Sequence, residues 1–587
     1  MTDPPPTTDN GYRYYPLLGP RAIRLIMLHG SVTENAPLCC EIVDTDLEDP
    51  GEYSALSYTW GGESPSLPMT VMPGNNKHIS GDDPSPSQVL LLTPNCAAAL
   101  RILRRRIGGT GRGIWVDAVC INQADHSEKN GQVGLMAEIY QAAGDVVVWL
   151  GGEFAPRDTR TIRFLSMGWL KWVREVKPQG HFLKKRLIAP FWEWAPYWNR
   201  AWTVQEAAHA GAVLLCKDSG VIEIEAVFDA VWTYCEGRRV PGFNFVMHQN
   251  LYEGARRLAG DTRFGVWGFG RWDVANVAAK GASDPRDRVF ALRSVYPEFG
   301  MVDVDYGRDV GGVFAEATRR MVEKNMEVLF EAAGMDNTLG MPSWGVDWAS
   351  ERGHDGFWTY GWLKGLAAGG SEARCRFDDD GRLYLTGVVV GRVHERFASE
   401  VIPSFSGEIS NTTELREVRR MDGVIYGAVS SWVYEVSAAA AEAESPSETE
   451  LVDGIPASVV RLINYVATEN TFHVSRRTRA LLQSRLENRD GTRDIRRIVS
   501  DDIVRSLPTA CYEGSRMFLT TEGRFGWAHA RLEPGDLICA FAGLMYPMAV
   551  RPKGSSYVVV GPAVLDGVMD GMRWPADEDE LEEWEIV

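Results

Sequence analysis

The apolar pattern of the chain is organised around the stretch from Gly113 to Gly152. Two short runs, Ile114–Val119 and Val146–Leu150, are rich in β-branched and aromatic residues and end in polar or glycine signals, which predicts buried strands. Between them, within Gln132–Ala143, Val133, Met136, Tyr140 and Ala143 fall on one helical face. The result is a strand, helix, strand unit. A crossover of this length makes the strands parallel. It leaves Asp117 and the run Cys120-Ile121-Asn122-Gln123 near the carboxyl end of the first strand, where open α/β sheets place their ligands.

The same reading extends in both directions. Residues 1–20 are proline-rich and are expected to be disordered, becoming ordered only near Tyr14. Arg21–His29 and Cys39–Val43 predict early strands, and residues 52–62 predict a strand ending in the Gly61-Gly62 turn. Residues 61–92 collect Pro, Gly, Ser and Asp and predict an irregular insertion. Thr93 and Pro94 have the chemistry of an N-cap and first helical position, and Ala97, Leu100, Leu103 and Ile107 continue the face. A second parallel unit follows. A helix is expected over 158–190, an aromatic cluster over Phe191–Trp198, a helix over 199–208 and a strand over Ala212–Cys216. The first domain then spans 21–216, with a mainly helical region over 217–350 and a β-containing region over 351–437. An Ala, Glu and Ser linker over 438–450 leads to a helical region over 451–510. Short apolar strands between Gly and Pro turns over 511–573 predict a small barrel or sandwich, followed by an acidic tail over 574–587.

Composition narrows the functional classes. At 587 residues the chain exceeds a single core, and a net charge of −18 argues against nucleic acid as the main partner. The nine cysteines are scattered, without a zinc spacing or a disulfide framework, which fits a reducing compartment. No apolar run is long enough to span a membrane and the start lacks the pattern of a signal peptide, so a cytoplasmic protein is expected. No metal site is expected.

Three blocks in order, Tyr53–Gly61, Ile114–Gln123 running on to Trp149–Gly151, and Asn199–Glu206, resemble the fungal heterokaryon incompatibility (HET) domain family. Asp284–Leu292, Pro342–Trp348 and the region from Arg516 to Gly571 are similar to segments that follow this domain in long members. The resemblance implies a role in cell death when genetically different fungal cells fuse. More remotely, the family resembles the Toll/interleukin-receptor (TIR) fold, some of whose members cleave NAD. That resemblance implies a flavodoxin-like, mainly parallel α/β domain. Ser57-Tyr58 match the strand end of the TIR pattern, and Trp202 followed by Glu206 matches its tryptophan and catalytic glutamate. On a helix this spacing puts indole and carboxylate on one face.

The resemblance makes Glu206 the candidate catalytic residue and NAD the candidate substrate, with no separate cofactor. Cleavage of the nicotinamide–ribose bond develops positive charge at the anomeric carbon, and nicotinamide departs neutral, so one carboxylate suffices. An arbitrary helical Glu is more often an exposed partner of a basic residue such as Arg200. Ser57, Tyr58, Trp60, Gly61, Asp117 and Trp202 are candidates to line the pocket. Asp117 has a structural alternative, as acceptor for the turn at Asn122 and Gln123 or for Arg200, because an unpaired buried carboxylate is expensive. Trp60 and Trp202 could stack a ring or belong to the core. Cys120, Asn122, Gln123, Arg200 and Gln205 belong to the motif as structural residues. Cys120 stands in no Cys/His signature and is expected to be a buried small side chain. No complete phosphate-binding glycine motif is present. Two functions follow as expectations: an NAD-cleaving effector, restrained until it self-associates, or a non-catalytic scaffold that recognises a protein partner.

Overall fold

The computed structural model describes residues 12–31, 33, 35–60, 62–73, 88–151, 197, 200–207, 212–216, 220–223, 281–293, 296–332, 338–350, 367–398, 451–452, 455–456 and 515–587. The expected helix over 158–190, the linker over 438–450, Gly61 and most of the expected helical region over 451–510 lie outside these residues; of that last region Leu451–Val452 and Ile455–Pro456 are described, and they pair as two short strands rather than forming helix. The chain divides into two compact units, Met1–Gly268 with Ala279–Asp309, and Phe269–Ala278 with Val310–Val587.

The first unit contains, in chain order, β1 (Ala22–Leu28), β2 (Leu38–Asp46), β3 (Tyr53–Tyr58), β4 (Leu67–Val71), β5 (Gln88–Leu92), α1 (Pro94–Ile107), β6 (Gly113–Trp115), α2 (Asp117–Cys120), α3 (His126–Ala142), β7 (Asp145–Trp149), α4 (Trp202–Ala207), β8 (Ala212–Cys216) and β9 (Gly220–Glu223). The strands form one sheet of order β5-β4-β2-β1-β6-β3-β7-β8-β9. Its centre, β6-β3-β7-β8, is parallel throughout, whereas β1 pairs antiparallel with both β2 and β6, and β8 with β9. By chain order the parallel strands stand second, first, third, fourth. Every residue of β3 is buried, as expected of a strand covered on both faces. The expected parallel pairing of the Ser54, Ile114 and Val146 runs is present, with Val133, Met136 and Tyr140 of α3 buried.

Three expectations are corrected here. The run Ile114–Val119 is not one strand: β6 stops at Trp115, and Asp117 opens a helical turn by accepting the Ala118 N–H at 2.7 Å through Oδ1. The stretch 61–92 is not wholly irregular, because β4 pairs parallel with β2 and antiparallel with β5. Met69, Val71, Leu90 and Leu92 are buried in these strands, a pattern that Pro68 and the surrounding turn residues conceal. The start is tied down from Tyr12 onward, where the Tyr12 N–H donates to Val89 O at 2.9 Å and the Tyr14 hydroxyl to Val119 O at 2.9 Å.

The helix termini follow their sequence signals. Thr93 caps α1 by accepting the Cys96 N–H at 3.2 Å, and Asp125 caps α3 by accepting from Ser127 and Glu128 at 2.9 and 3.1 Å. Glu128 in turn meets Arg24, a β1 side chain only 1% exposed. The guanidinium reaches both Glu128 oxygens at 2.5 and 3.0 Å, Cys120 O at 3.1 Å and Tyr15 O at 2.5 Å. One buried cation thus fastens the N-terminal segment, the α2 turn and the start of α3 to β1.

In the second unit, α7 (Val310–Val322), counted after the one-turn helices α5 (Asp287–Phe290) and α6 (Pro297–Gly300) of the first unit, holds buried Thr318. The Thr318 hydroxyl accepts the Val346 N–H at 3.0 Å and the Trp348 indole N–H at 3.3 Å, which seats the Pro342–Trp348 segment. The strands are β10 (Cys375–Phe377), β11 (Leu383–Ala398), β12 (Leu451–Val452), β13 (Ile455–Pro456), β14 (Ser515–Thr520), β15 (Phe525–His529), β16 (Leu537–Phe541), β17 (Met548–Lys553), β18 (Ser556–Leu565) and β19 (Glu582–Ile586). All but β12 and β13 join one sheet, antiparallel except where β18 meets β19. The long β11 pairs with β14, β16 and β19. The expected acidic tail is therefore corrected: Trp584 and Ile586 are buried in β19, while Glu583 lies outward against Arg376 at 2.6 Å. Among the described residues no helix is long and apolar enough to cross a membrane.

Because removing Arg24 strands a buried carboxylate and two carbonyls, Arg24→Leu is expected to destabilise the first unit by about 3–5 kcal/mol. Arg21→Leu, which removes a surface pair with Glu138, should leave stability almost unchanged. Hydrogen exchange of the β1 and β6 amides in both variants checks this.

Candidate functional site

The carboxyl ends of β3 and β7 gather most of the residues singled out from the sequence. Ser57 is the last-but-one residue of β3, and its hydroxyl faces α4. It donates to Glu206 Oε2 in a short hydrogen bond and lies 2.6 Å from the Tyr197 hydroxyl. Tyr197 is held in turn, because its carbonyl accepts the Thr203 hydroxyl of α4 at 3.0 Å. Serine is the residue that allows this: small enough for a fully covered strand, yet carrying a donor for a carboxylate.

Glu206 is only 2% exposed. Burial pushes its carboxyl up to about 7 from an ordinary 4.5; the Arg200 guanidinium and the Ser57 hydroxyl pull it down, and the Asp117 charge adds to the rise. No salt bridge to Glu206 is present among the described residues. Arg200 instead donates to Tyr58 O at 2.5 Å, at the end of β3. The Glu206 proton is held by burial and released by a nearby positive field that stops short of a closed ion pair.

Asp117 is half-buried, and its Oδ2 accepts the Trp60 indole N–H at 3.0 Å while Oδ1 holds the Ala118 amide. Its carboxyl is also raised by burial, against the lowering influence of Arg200. The Asn122 amide donates to Glu128 at 2.7 Å and the Gln123 side chain donates to Asp117 O at 3.0 Å. These contacts make the Cys120–Gln123 run a brace for the strand end. The Cys120 thiol is buried and pushed up to about 12 by desolvation, so it is not a nucleophile at neutral pH.

Trp202 and Glu206 share α4 but have different neighbours, since the indole lies beside Asp287 and the carboxylate meets Ser57. Gln205 and Tyr58 are buried, at 2% each, and Trp60 is half-buried.

Sequence reasoning missed three contributors. Tyr197 lies in the aromatic run noted only as a cluster. Tyr140 was assigned to packing, yet the Glu206 and Asp117 charges act on its phenol, which is raised mainly by burial. Asn95, in the first turn of α1, donates to Thr59 O at 2.7 Å and accepts the Trp149 indole N–H at 2.7 Å, locking the ends of β3 and β7 together. The chain leaves β7 through Gly151 at φ 108°, a backbone state that only glycine adopts without strain. A polar residue just inside the cap of a helix that follows a strand is the signal that could have found Asn95. Among the described residues no cluster of His, Cys, Asp and Glu could hold a metal ion.

Comparison with known proteins agrees with this layout. The family model for the heterokaryon incompatibility protein (HET) matches residues 53–206, from the first residue of β3 to Glu206. A second model, the Het-6 beta-barrel domain, matches residues 492–585. The heterokaryon incompatibility protein 6, OR allele, of Neurospora crassa is 22% identical, over 96% of this chain and 96% of its own. No solved structure matches. With the HET model beginning at β3 and ending at Glu206, and the barrel model on the C-terminal strands, the chain carries a HET domain followed by a region similar to the Het-6 barrel, the arrangement of a fungal HET-domain protein.

Proposed function

We propose that this protein is an incompatibility effector that triggers cell death, and that its N-terminal unit does so by hydrolysing NAD. The observation that carries the catalytic part is the setting of Glu206: a carboxylate removed from water, bonded by Ser57 and beside Arg200, at the carboxyl edge of a parallel sheet. The strand order second, first, third, fourth is that of flavodoxin-like sheets, which bind ligands in the crevice where successive connections diverge. It supports the TIR-like reading. In the second unit, the pairing path β11-β14-β15-β18-β17-β16 returns to β11, which supports closure into a barrel.

In this mechanism the bond between the ribose anomeric carbon and the pyridinium nitrogen breaks. Its electron pair goes to nicotinamide, which leaves neutral. The ionised Glu206 stabilises the oxocarbenium-like ribose. Water then attacks that carbon and loses its proton to Glu206 or solvent, giving ADP-ribose. Asp117 and Trp60 brace the wall, and Ser57 aims the carboxylate.

A carboxylate 2% exposed is closed to substrate, so catalysis requires α4 or its cover to move. We connect this with restraint: the isolated chain is silent, and self-association or a protein partner opens the site. The same burial favours a second reading, in which Glu206 is a structural acid and the domain is a scaffold.

Glu206→Gln is expected to keep the Ser57 contact and the fold while lowering nicotinamide release by about 10²–10³-fold. Asp117→Asn should cost roughly 1–3 kcal/mol of stability and, at a pH well above 7 where Glu206 is ionised in both proteins, reduce activity only in proportion to unfolding. Nicotinamide release and thermal unfolding of both variants, in concentrated protein, separate the roles. A folded Glu206→Gln protein with wild-type turnover overturns the assignment.

A pH dependence follows as well. Because the folded carboxyl is raised to about 7, the folded state binds the proton more tightly than the unfolded chain. Stability from this group is complete below the unfolded value and is lost as pH rises through about 7, by about 3 kcal/mol. Activity should rise over the same range as the carboxylate ionises. Arg200, Asp117, Tyr140 and Tyr197 are the titratable neighbours, and Asp117→Asn should move the midpoint down by removing a like charge. Urea unfolding from pH 5 to 8 should show the slope in wild type and its loss in Glu206→Gln.

A further inference from the structure

The HET model ends at Glu206, yet the polypeptide returns to that helix about eighty residues later. Gly281 O accepts the Ala201 N–H at 3.0 Å, and Arg200 and Gly281 form a parallel bridge just before α4. Asp287 then comes up beside the first residue of α4: its carboxylate accepts the Tyr306 hydroxyl at 2.6 Å, and the Trp202 side chain lies next to it. Tyr306 is fixed from the other side, where Lys129 Nζ of α3 lies 4.2 Å from its ring centre and Asn130 Oδ1 accepts its N–H at 3.4 Å.

A folded-back arginine hardens the segment. The Arg286 guanidinium forms a fork with Asp284 at 2.9 and 2.7 Å and donates to the Tyr306 and Arg308 carbonyls, both at 2.6 Å. The charges of Asp284 and Arg286 are therefore spent on each other and on the segment's own carbonyls, and Asp287 is spent on Tyr306. Gly281–Arg308 belongs to the same compact unit as the sheet. The six-residue α4 is too short to hold itself: a helix of this length depends on packing and on contacts at its ends.

We propose that residues 281–308 clamp α4 onto the sheet, and that Asp287 is a positioning residue which, by fixing Trp202, holds Glu206 against Ser57. The catalytic consequence rests on the NAD-cleaving reading. The clamp itself does not. Asp287 touches no reacting atom in this account; it acts through the helix.

The test uses the full chain with Asp287→Ala, Trp202→Phe, the double variant and Asp287→Asn. Trp202→Phe keeps an aromatic ring and removes the indole donor; Asp287→Asn keeps one acceptor oxygen for the Trp202 indole and offers an amide N–H that the Tyr306 hydroxyl can accept. Hydrogen exchange of the α4 amides should speed up by about tenfold in Asp287→Ala and in Trp202→Phe. The double variant should be no faster than either single, because both remove one interaction. Asp287→Asn should restore protection, and β3 and β7 should be unaffected throughout. In nicotinamide release, Asp287→Ala should lower kcat roughly 10–100-fold with KM within about twofold, as expected for a displaced catalytic group. Unchanged α4 exchange in both singles, or independent effects that multiply in the double variant, overturns the clamp. If Asp287→Ala unfolds the whole unit, Trp202→Phe and Asp287→Asn decide. A wild type that never cleaves NAD removes the catalytic reading and leaves the exchange result to judge the clamp.

Discussion

Placing a carboxylate out of water at the end of a fully covered strand sets the constraint around which the N-terminal unit is built. A charge in that position is costly unless donors surround it, and the surrounding residues supply them in a graded way. Ser57, itself held by the Tyr197 hydroxyl, gives a direct hydrogen bond, and Arg200 adds a positive field. A full ion pair would have pinned the group as a permanent anion, and a dry apolar wall would have kept it neutral. The intermediate arrangement lets its protonation change near neutrality.

The rest of the unit fixes the two strand ends against which this carboxylate sits. Arg24 ties β1 to the turn after β6 and to the start of α3, Asn95 spans the ends of β3 and β7, and Asp117 anchors Trp60 at the rim. Apart from Arg24, which lies within β1, these contacts are made by single polar side chains at helix starts and just beyond strand ends. The division of labour is physical: nonpolar burial assembles the sheet, and directed hydrogen bonds set the geometry of its edge.

The parallel core was legible because β-branched and aromatic runs flanked a periodic helix, and the α1 cap because Thr93 and Pro94 have only one common role together. The ends of elements were harder. Asp117 stops β6 by bonding its own helical turn, an effect of one side chain that an apolar run conceals. β19 was hidden by its glutamates: Glu583 and Glu585 occupy the outward face while Trp584 and Ile586 fill the inward one. The Ser57–Glu206 contact joins residues 149 positions apart. Resemblance named both residues, but neither periodicity nor spacing could bring them together. The return of Asp287 to Trp202 is of the same kind, a long-range contact with no local signature.

Burial of Glu206 and a role in catalysis are compatible only if the site opens, which in the proposed mechanism follows self-association or the binding of a protein partner. The most direct test is to incubate the purified full chain with NAD across a wide range of protein concentrations and to quantify nicotinamide and ADP-ribose. The account predicts equal amounts of the two products, formed at a rate that climbs more steeply than protein concentration as the chain assembles. NAD left intact at every concentration, including in assemblies that kill cells, would contradict it.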